Sequence, residues 1–273
     1  MKNPYVSKIR IYPIKSLDPI EVSEAEIGIR SLKYDRAYAM VAEDGRYVNG
    51  KRTGRVNELK ATYDLQKGIV QLSHREGGDI SEFELREGNT DLDAYLSNFF
   101  DLKVILIHRT EGELMDIPSA SSVTIVSKKS LVSIHKDLNS YSLENIRLRF
   151  RANIEIEGVA EFWEEKLFKT PGIGMRFKIG DVEMIGVSPR ARCNVPPQDP
   201  FTGESDRSFA RKMMKSRAKS LPENSDLAHY GSMYHLTVNT YLPDTEKGKK
   251  IILRDTIEIL EPVNLRYNDS QTH

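Results

Sequence analysis

Cysteine is almost absent: the chain of 273 residues holds one, Cys193. A single thiol makes no intrachain disulfide and no dithiol redox pair, and it leaves a cysteine-rich zinc site without ligands. Charge of one sign is lacking too, because 40 lysines and arginines are matched by 40 aspartates and glutamates and the pI is near 7.0. No overall field would hold nucleic acid or an anionic membrane, so neither is an expected partner, and any anion site must be local. The opening residues MKNPYVSKIRIYPIKS contain no apolar stretch long enough for a signal peptide or a membrane span. The reducing cytoplasm is therefore the expected compartment. No complete nucleotide-binding glycine pattern stands out, since Gly172-Ile-Gly174 lacks its third glycine. His229 and His235, the nearest histidine pair, sit at a spacing that imposes no metal geometry.

What is present is the balance of a globular protein: 39% hydrophobic and 29% charged residues with a mean hydropathy of -0.48. The length suits two domains, each able to bury a core. In the first third, residues 5–14, 20–27 and 36–42 read as strands, rich in β-branched and aromatic side chains and separated by Asp, Pro, Gly and Ser. A turn at Glu43-Asp44-Gly45 and further strands near 58–65, 68–73 and 81–85 complete a β-meander or partial barrel. Thr90 with Asp93 predicts a helix start, and Leu92, Tyr95, Leu96, Phe99 and Phe100 recur on one helical face. A strand at 103–108 and a polar connector follow, with a domain boundary expected near residue 117.

The second part opens with a strand at 122–127 and a helix whose apolar stripe is Leu131, Ile134, His135 and Leu138. Ser127 and Ser130 fall at its start beside Lys128. They serve either as ordinary caps or, with the free backbone N–H groups, as a seat for an anion. The stretch ENIRLRFRANIEIEG reads as a strand with Arg147, Arg149, Arg151 and Asn153 on one face, either a solvated edge or a fork of guanidiniums for phosphate or carboxylate. Residues 175–190 predict a hairpin turning at Ile179-Gly180-Asp181, a basic helix follows around 207–219, and strands at 234–242 and 255–260 close the domain.

The hairpin delivers the chain into GVSPRARCNVPPQDPFTGE. A lone cysteine is ordinarily a small buried hydrophobe. Here Arg190 and Arg192 stand close enough to favour a thiolate, and Pro196, Pro197 and Pro200 stiffen the loop beyond it. A thiolate attacks electrophiles or ligates soft metals.

The order YPIKS, DRAY, FRAN and RC-x5-DP-x-TGE resembles the MOSC family, named for the molybdenum cofactor sulfurase C-terminal domain, over nearly the whole chain from Ile9 to Leu260. The subgroup it is most similar to includes the mitochondrial amidoxime-reducing component and bacterial relatives. The resemblance implies an α+β, mainly β fold: an N-terminal β-barrel-like domain over 1–117, then a MOSC-type β-barrel with peripheral helices over 118–273. It implies a molybdopterin-type molybdenum cofactor with Cys193 as the metal ligand, reduction of N-hydroxylated small molecules, and electrons from a separate redox protein. Carried over by motif, Lys15, Ser16 and Arg36 would face the pterin and its phosphate. Ser127 and Lys128 would hold the phosphate end, Arg149, Arg151 and Asn153 would add contacts, and Arg190 and Arg192 would flank the metal. Ala191, Pro196 and Pro197 depart from the family pattern, where a serine and two threonines are usual. The alternatives left open by the residues are a sulfur carrier with a Cys193 persulfide and a non-catalytic module for an anion or pyridoxal phosphate.

Overall fold

In the computed structural model, residues 3–109, 114, 123–221, 230 and 232–265 are described. The chain starts with β1 (Tyr5–Ile11), β2 (Ile20–Val22), β3 (Glu24–Glu26) and β4 (Tyr38–Ala42). It continues with β5 (Leu59–Asp64), β6 (Ile69–His74), β7 (Ser81–Glu84), α1 (Thr90–Phe100) and β8 (Val104–His108). After the connector come β9 (Thr124–Ser127), α2 (Lys128–Leu138), α3 (Leu143–Phe150) and β10 (Ile154–Glu157). The hairpin β11 (Ile173–Ile179) and β12 (Val182–Ala191) leads to α4 (Phe209–Ser220), β13 (His235–Tyr241), β14 (Lys250–Ile252) and β15 (Ile257–Asn264). The expected boundary near residue 117 lies outside the described residues, as does His229. Among the described residues no helix is long and apolar enough to cross a membrane.

The fold is mainly β, as expected, and its largest sheet draws on both ends of the chain. Eight strands run in the order β15-β11-β12-β13-β9-β10-β1-β2, antiparallel except where β10 lies parallel to β9. The sheet curls until β1 and the start of β15 meet through a single bridge, Tyr5 to Thr256, with Val6 N–H donating to Asp255 O at 2.9 Å. It is barrel-like, without a continuous ladder that closes it. Its interior is aliphatic and aromatic, from Val6 and Ile9 through Ile154 to Phe177 and Val238. A second core lies under β4 to β8 and α1, where Leu92, Leu96 and Phe100 form the buried face. The cap of that helix is Asn89, one residue before the expected Thr90. A third core joins α2, α3 and α4 around Phe150, Phe209 and Met213.

One element contradicts the sequence reading. Residues 143–150 form α3, not a strand, so the arginine face does not exist. Ser142 caps the helix by accepting the Asn145 N–H, Glu144 sits in the first turn, and Arg151 ends it in the left-handed conformation. Ile146 and Phe150 turn inward with a helical period, and side-chain pairs four and three apart, Arg149 with Asn145 and Arg147 with Glu144, replace the strand alternation. Two smaller differences concern the beginning. The expected strand at 20–27 splits into β2 and β3, and β4 begins at Tyr38 because Arg36 is left-handed, with φ at 50°.

In β12 the register shifts on both sides of Pro189, which has no N–H for the ladder. Gly186 in the same strand is required by packing: a Cβ there would lie 1.6 Å from Leu167 O.

Candidate functional site

A cavity of about 250 Å³ opens where the first 51 residues meet the chain from Leu114 onward. The first half contributes Lys15, Ser16, Arg36, Asn49, Gly50 and Lys51. The other wall is built from the ends of β12 and α3, which bring Arg190, Ala191, Arg192 and Cys193 against Phe150 and Arg151, with Asn153 and Thr124 behind them. Six lining side chains are cationic, Lys15, Arg36, Lys51, Arg151, Arg190 and Arg192, and no carboxylate is among the described lining residues. In a chain of zero net charge this is a local concentration of one sign.

The backbone is strained where it aims these groups. Ser16, Arg36 and Arg151 have φ of 76°, 50° and 52°, a region that costs a non-glycine residue roughly 1–2 kcal/mol. Arg36 is locked in place by its ion pair with buried Asp35, by Asn153 Oδ1 at 3.0 Å and by the Arg151 carbonyl at 3.2 Å. Asp35 in turn accepts the Tyr12 N–H at 2.8 Å. The Arg36 and Arg151 guanidiniums both stack on the Tyr12 ring, at 4.4 and 4.1 Å from its centroid. Burial, offset in part by Tyr12 and reinforced by the Arg36 charge, pulls Arg151 below the usual arginine range. Two like charges held on one ring make a receptor for an anion with several oxygens.

Cys193 is exposed and stands at the edge of the cavity. The arginine before it is fixed by donation from Arg192 Nη2 to the Phe150 carbonyl at 3.0 Å, and Arg190 Nη1 donates to Asn239 Oδ1 at 3.0 Å. The thiol therefore belongs to a cation-lined wall, not to the aliphatic core in which a lone cysteine is commonly found.

Eight of the expected residues meet in this cavity: Lys15, Ser16, Arg36, Arg151, Asn153, Arg190, Arg192 and Cys193. Three do not. Ser127 is fully buried as the cap of α2, bonded to Ser130 at 2.6 Å, and Ser130 donates to Glu164 at 2.9 Å, so the helix start is closed by protein groups. Lys128 turns outward to an ion pair with Glu157 at 2.6 Å. Arg149 is buried and spends its donors on Asn145 and on the loop after the cysteine. Asn153 also works mainly inside the protein, accepting from Arg36 and Thr124 and donating to the Arg10 carbonyl at 3.0 Å.

Sequence reading missed Asn49, Gly50 and Lys51. Their segment, Gly45 to Lys51, carries the G-x-x-x-x-G-K spacing, but Arg52 follows where a P-loop needs Ser or Thr. The loop runs into a short 3₁₀ turn at Gly54–Asn57 instead of a long helix. A glycine-flanked lysine in a basic loop was the available signal.

Comparison with known proteins gives a consistent picture. The model of the MOSC N-terminal beta barrel domain matches residues 3–111, and that of the MOSC domain matches residues 108–232. The mitochondrial amidoxime-reducing component 1 of Mus musculus is 27% identical, with 84% of this chain and 75% of that protein covered. Component 2 of Rattus norvegicus is 27% identical over 81% of this chain and 76% of its own. The molybdenum cofactor sulfurase of Homo sapiens is 23% identical over 82% of this chain, which spans only 30% of that protein's length. With both domain models matched in order across most of its length, and with the cysteine, lysine and arginines of its motifs gathered in one cavity, the chain belongs to the MOSC family.

Proposed function

We propose that the protein binds a molybdopterin-type molybdenum cofactor in this cavity, with the Cys193 thiolate as metal ligand, and reduces N-hydroxylated small molecules. The observation that carries this reading is the meeting of the chain's one thiol with six cationic side chains in a single cavity without a described carboxylate. The donor set fits such a group. Molybdenum is thiophilic, and a phosphate-bearing organic ligand is anionic. Among the described residues no three His, Cys, Asp or Glu cluster to hold a metal ion, so the protein suits a metal that arrives with other donor atoms and needs one sulfur.

When bound, the cofactor supplies the redox chemistry. The chain's own residues bind and orient. Arg36 and Arg151, fixed on Tyr12, present N–H donors for phosphate oxygens. Arg190 and Arg192 balance negative charge next to the sulfur, and the exposure of Cys193 lets a small substrate approach from solvent. Reduction of an N–OH bond to N–H and water consumes two electrons and two protons, and the electrons come from a separate redox protein. An acidic face on that donor would match Arg211, Lys215 and Lys219, exposed at four-residue spacing along α4.

The test is metal analysis of protein purified from a host that makes the cofactor. Molybdenum stoichiometric with the chain, lost on Cys193→Ser, is expected. A content near zero, the same in both proteins, overturns the reading.

A further inference from the structure

The loop that follows Cys193 has almost no regular structure, yet it must hold the sulfur at the cavity wall. Its first anchor is Arg149, at 1% side-chain exposure. Nη1 of Arg149 donates to the carbonyls of Pro196 and Gln198, both at 2.7 Å, Nη2 reaches Asp199 Oδ2 at 3.2 Å, and Nε donates to Asn145 Oδ1 at 2.6 Å. Asn145 completes the cluster by donating to the same Asp199 oxygen at 2.8 Å. The guanidinium lies against the rings of Tyr141 and Phe209, 4.3 and 4.9 Å from their centroids. A planar cation with five fixed donors is the group that can hold two carbonyls and a carboxylate together, and a lysine ammonium cannot reproduce that fork.

The neighbours of Arg149 carry the consequence to the site. Phe150 accepts from Arg192, the residue before the cysteine, and Arg151 projects into the cavity. Three successive residues at the end of α3 thus grip the loop after Cys193, the residue before it, and the anion seat. The loop's internal bonds, among them Gln198 N–H to Val195 O at 2.9 Å and Asp206 N–H to Pro197 O at 3.0 Å, stiffen it without tying it to the rest of the fold.

We propose that Arg149 is the positioning residue for Cys193, fixing the thiol at the cavity by anchoring residues 196–199 to the end of α3. The proposal rests on the reading of Cys193 as the functional thiol, but its test needs no metal. The full chain carrying Arg149→Lys is compared with the wild type and with Arg217→Lys, which alters another buried arginine. Two quantities are read: hydrogen exchange of the amides in residues 198–206, and the rate of Cys193 alkylation by iodoacetamide across pH. Arg149→Lys should lower protection in that segment at least tenfold and change the alkylation profile, while Arg217→Lys leaves both as in the wild type. Should Arg149→Lys fail to fold, Asn145→Ala removes the buttress of Nε and is expected to shift both readouts in the same direction by a smaller factor. Wild-type protection and alkylation in a folded Arg149→Lys or Asn145→Ala protein would overturn the proposal, even if molybdenum binding were established. A molybdenum-free wild type with altered thiol behaviour in the variants would overturn the functional reading and leave the anchor standing.

Discussion

Glu164 is an acid in the wrong place for an ionised group. It is 2% exposed, behind the start of α2, and its Oε2 accepts a hydrogen bond from Ser130 Oγ at 2.9 Å. Burial dominates, and the hydrogen bonds from Ser130 and Ser127 offset it only in part, so its pKa rises from the ordinary 4.5 to about 7. The fold prefers the protonated form. Its contribution to stability is fully present below pH 4.5 and is lost as pH rises through 7, because the unfolded chain releases the proton earlier. At about 1.4 kcal/mol per tenfold change in proton affinity, the rise corresponds to about 3 kcal/mol.

Replacing Glu164 by Gln keeps the shape and an acceptor for Ser130 while removing the proton that can be lost. Urea denaturation of both proteins at pH 4.5 and pH 8, followed by far-UV circular dichroism, should show the variant gaining about 3 kcal/mol on the wild type between the two conditions. The acid limb common to both proteins has another source. His235, buried and beside the Arg217 charge, falls to about 4, so the native state loses stability as pH drops from 6.5 toward 4 in wild type and variant alike. That term cancels in the difference. An equal stability difference at the two pH values would refute the reasoning, since it would mean that Glu164 keeps an ordinary pKa in the fold.

Two further outcomes are expected. Gly203 has φ of 75° and a Cβ there would lie 2.4 Å from Gly54 O, whereas Gly45 has φ of 76° with nothing within 4 Å. Gly203→Ala should therefore cost at least about 1 kcal/mol more than Gly45→Ala in urea denaturation, the excess measuring the backbone contact that seats the cysteine loop on the first half of the chain. Reversing charge at Arg211 and Lys215, both exposed on α4, should slow electron delivery from an acidic donor about tenfold at low salt and leave turnover with an artificial dye unchanged. Equal rates from the protein donor would remove α4 as the docking face.

Most elements were legible because their signals are local. The apolar stripe of α1, the hairpin of β11 and β12, and the serine at the start of α2 each depend on a few neighbouring residues. The misreading of α3 has the same origin. In LRFRAN both periods fit a short window, and only the Ser142 cap and the Leu143, Ile146, Phe150 spacing upstream and around it distinguish the helix. What no local pattern carries is a contact made across the chain. The cavity lining by Asn49 to Lys51 depends on Gln198 Nε2 donating to Gly50 O at 2.7 Å, a pairing over 148 residues. Nor does sequence tell a serine that caps a helix from one that binds an anion. In the fold the two hydroxyls are taken up by protein groups, Ser127 bonding to Ser130 at 2.6 Å and Ser130 donating to buried Glu164 at 2.9 Å, a partner that lies 34 residues along the chain and leaves no local mark.

The energetics of the cavity explain why its residues are held so firmly. Three left-handed residues cost roughly 1–2 kcal/mol each, and six cations line about 250 Å³, so the cavity carries both backbone strain and like-charge repulsion. Local sequence would relax it, by letting Arg36 and Arg151 swing away into solvent. The fold prevents this: Asp35 and Asn153 hold Arg36, Arg151 donates to the Leu17 carbonyl at 2.9 Å, and both guanidiniums stack on Tyr12. Arg36 and Arg151 thus line the cavity with side-chain entropy already lost, which lowers the cost of binding for any anion that enters. The same logic places the thiol. Arg149 holds the carbonyls of Pro196 and Gln198 in the loop after Cys193, Arg192 donates to the Phe150 carbonyl, and the cavity that the thiol lines takes residues from both ends of the chain.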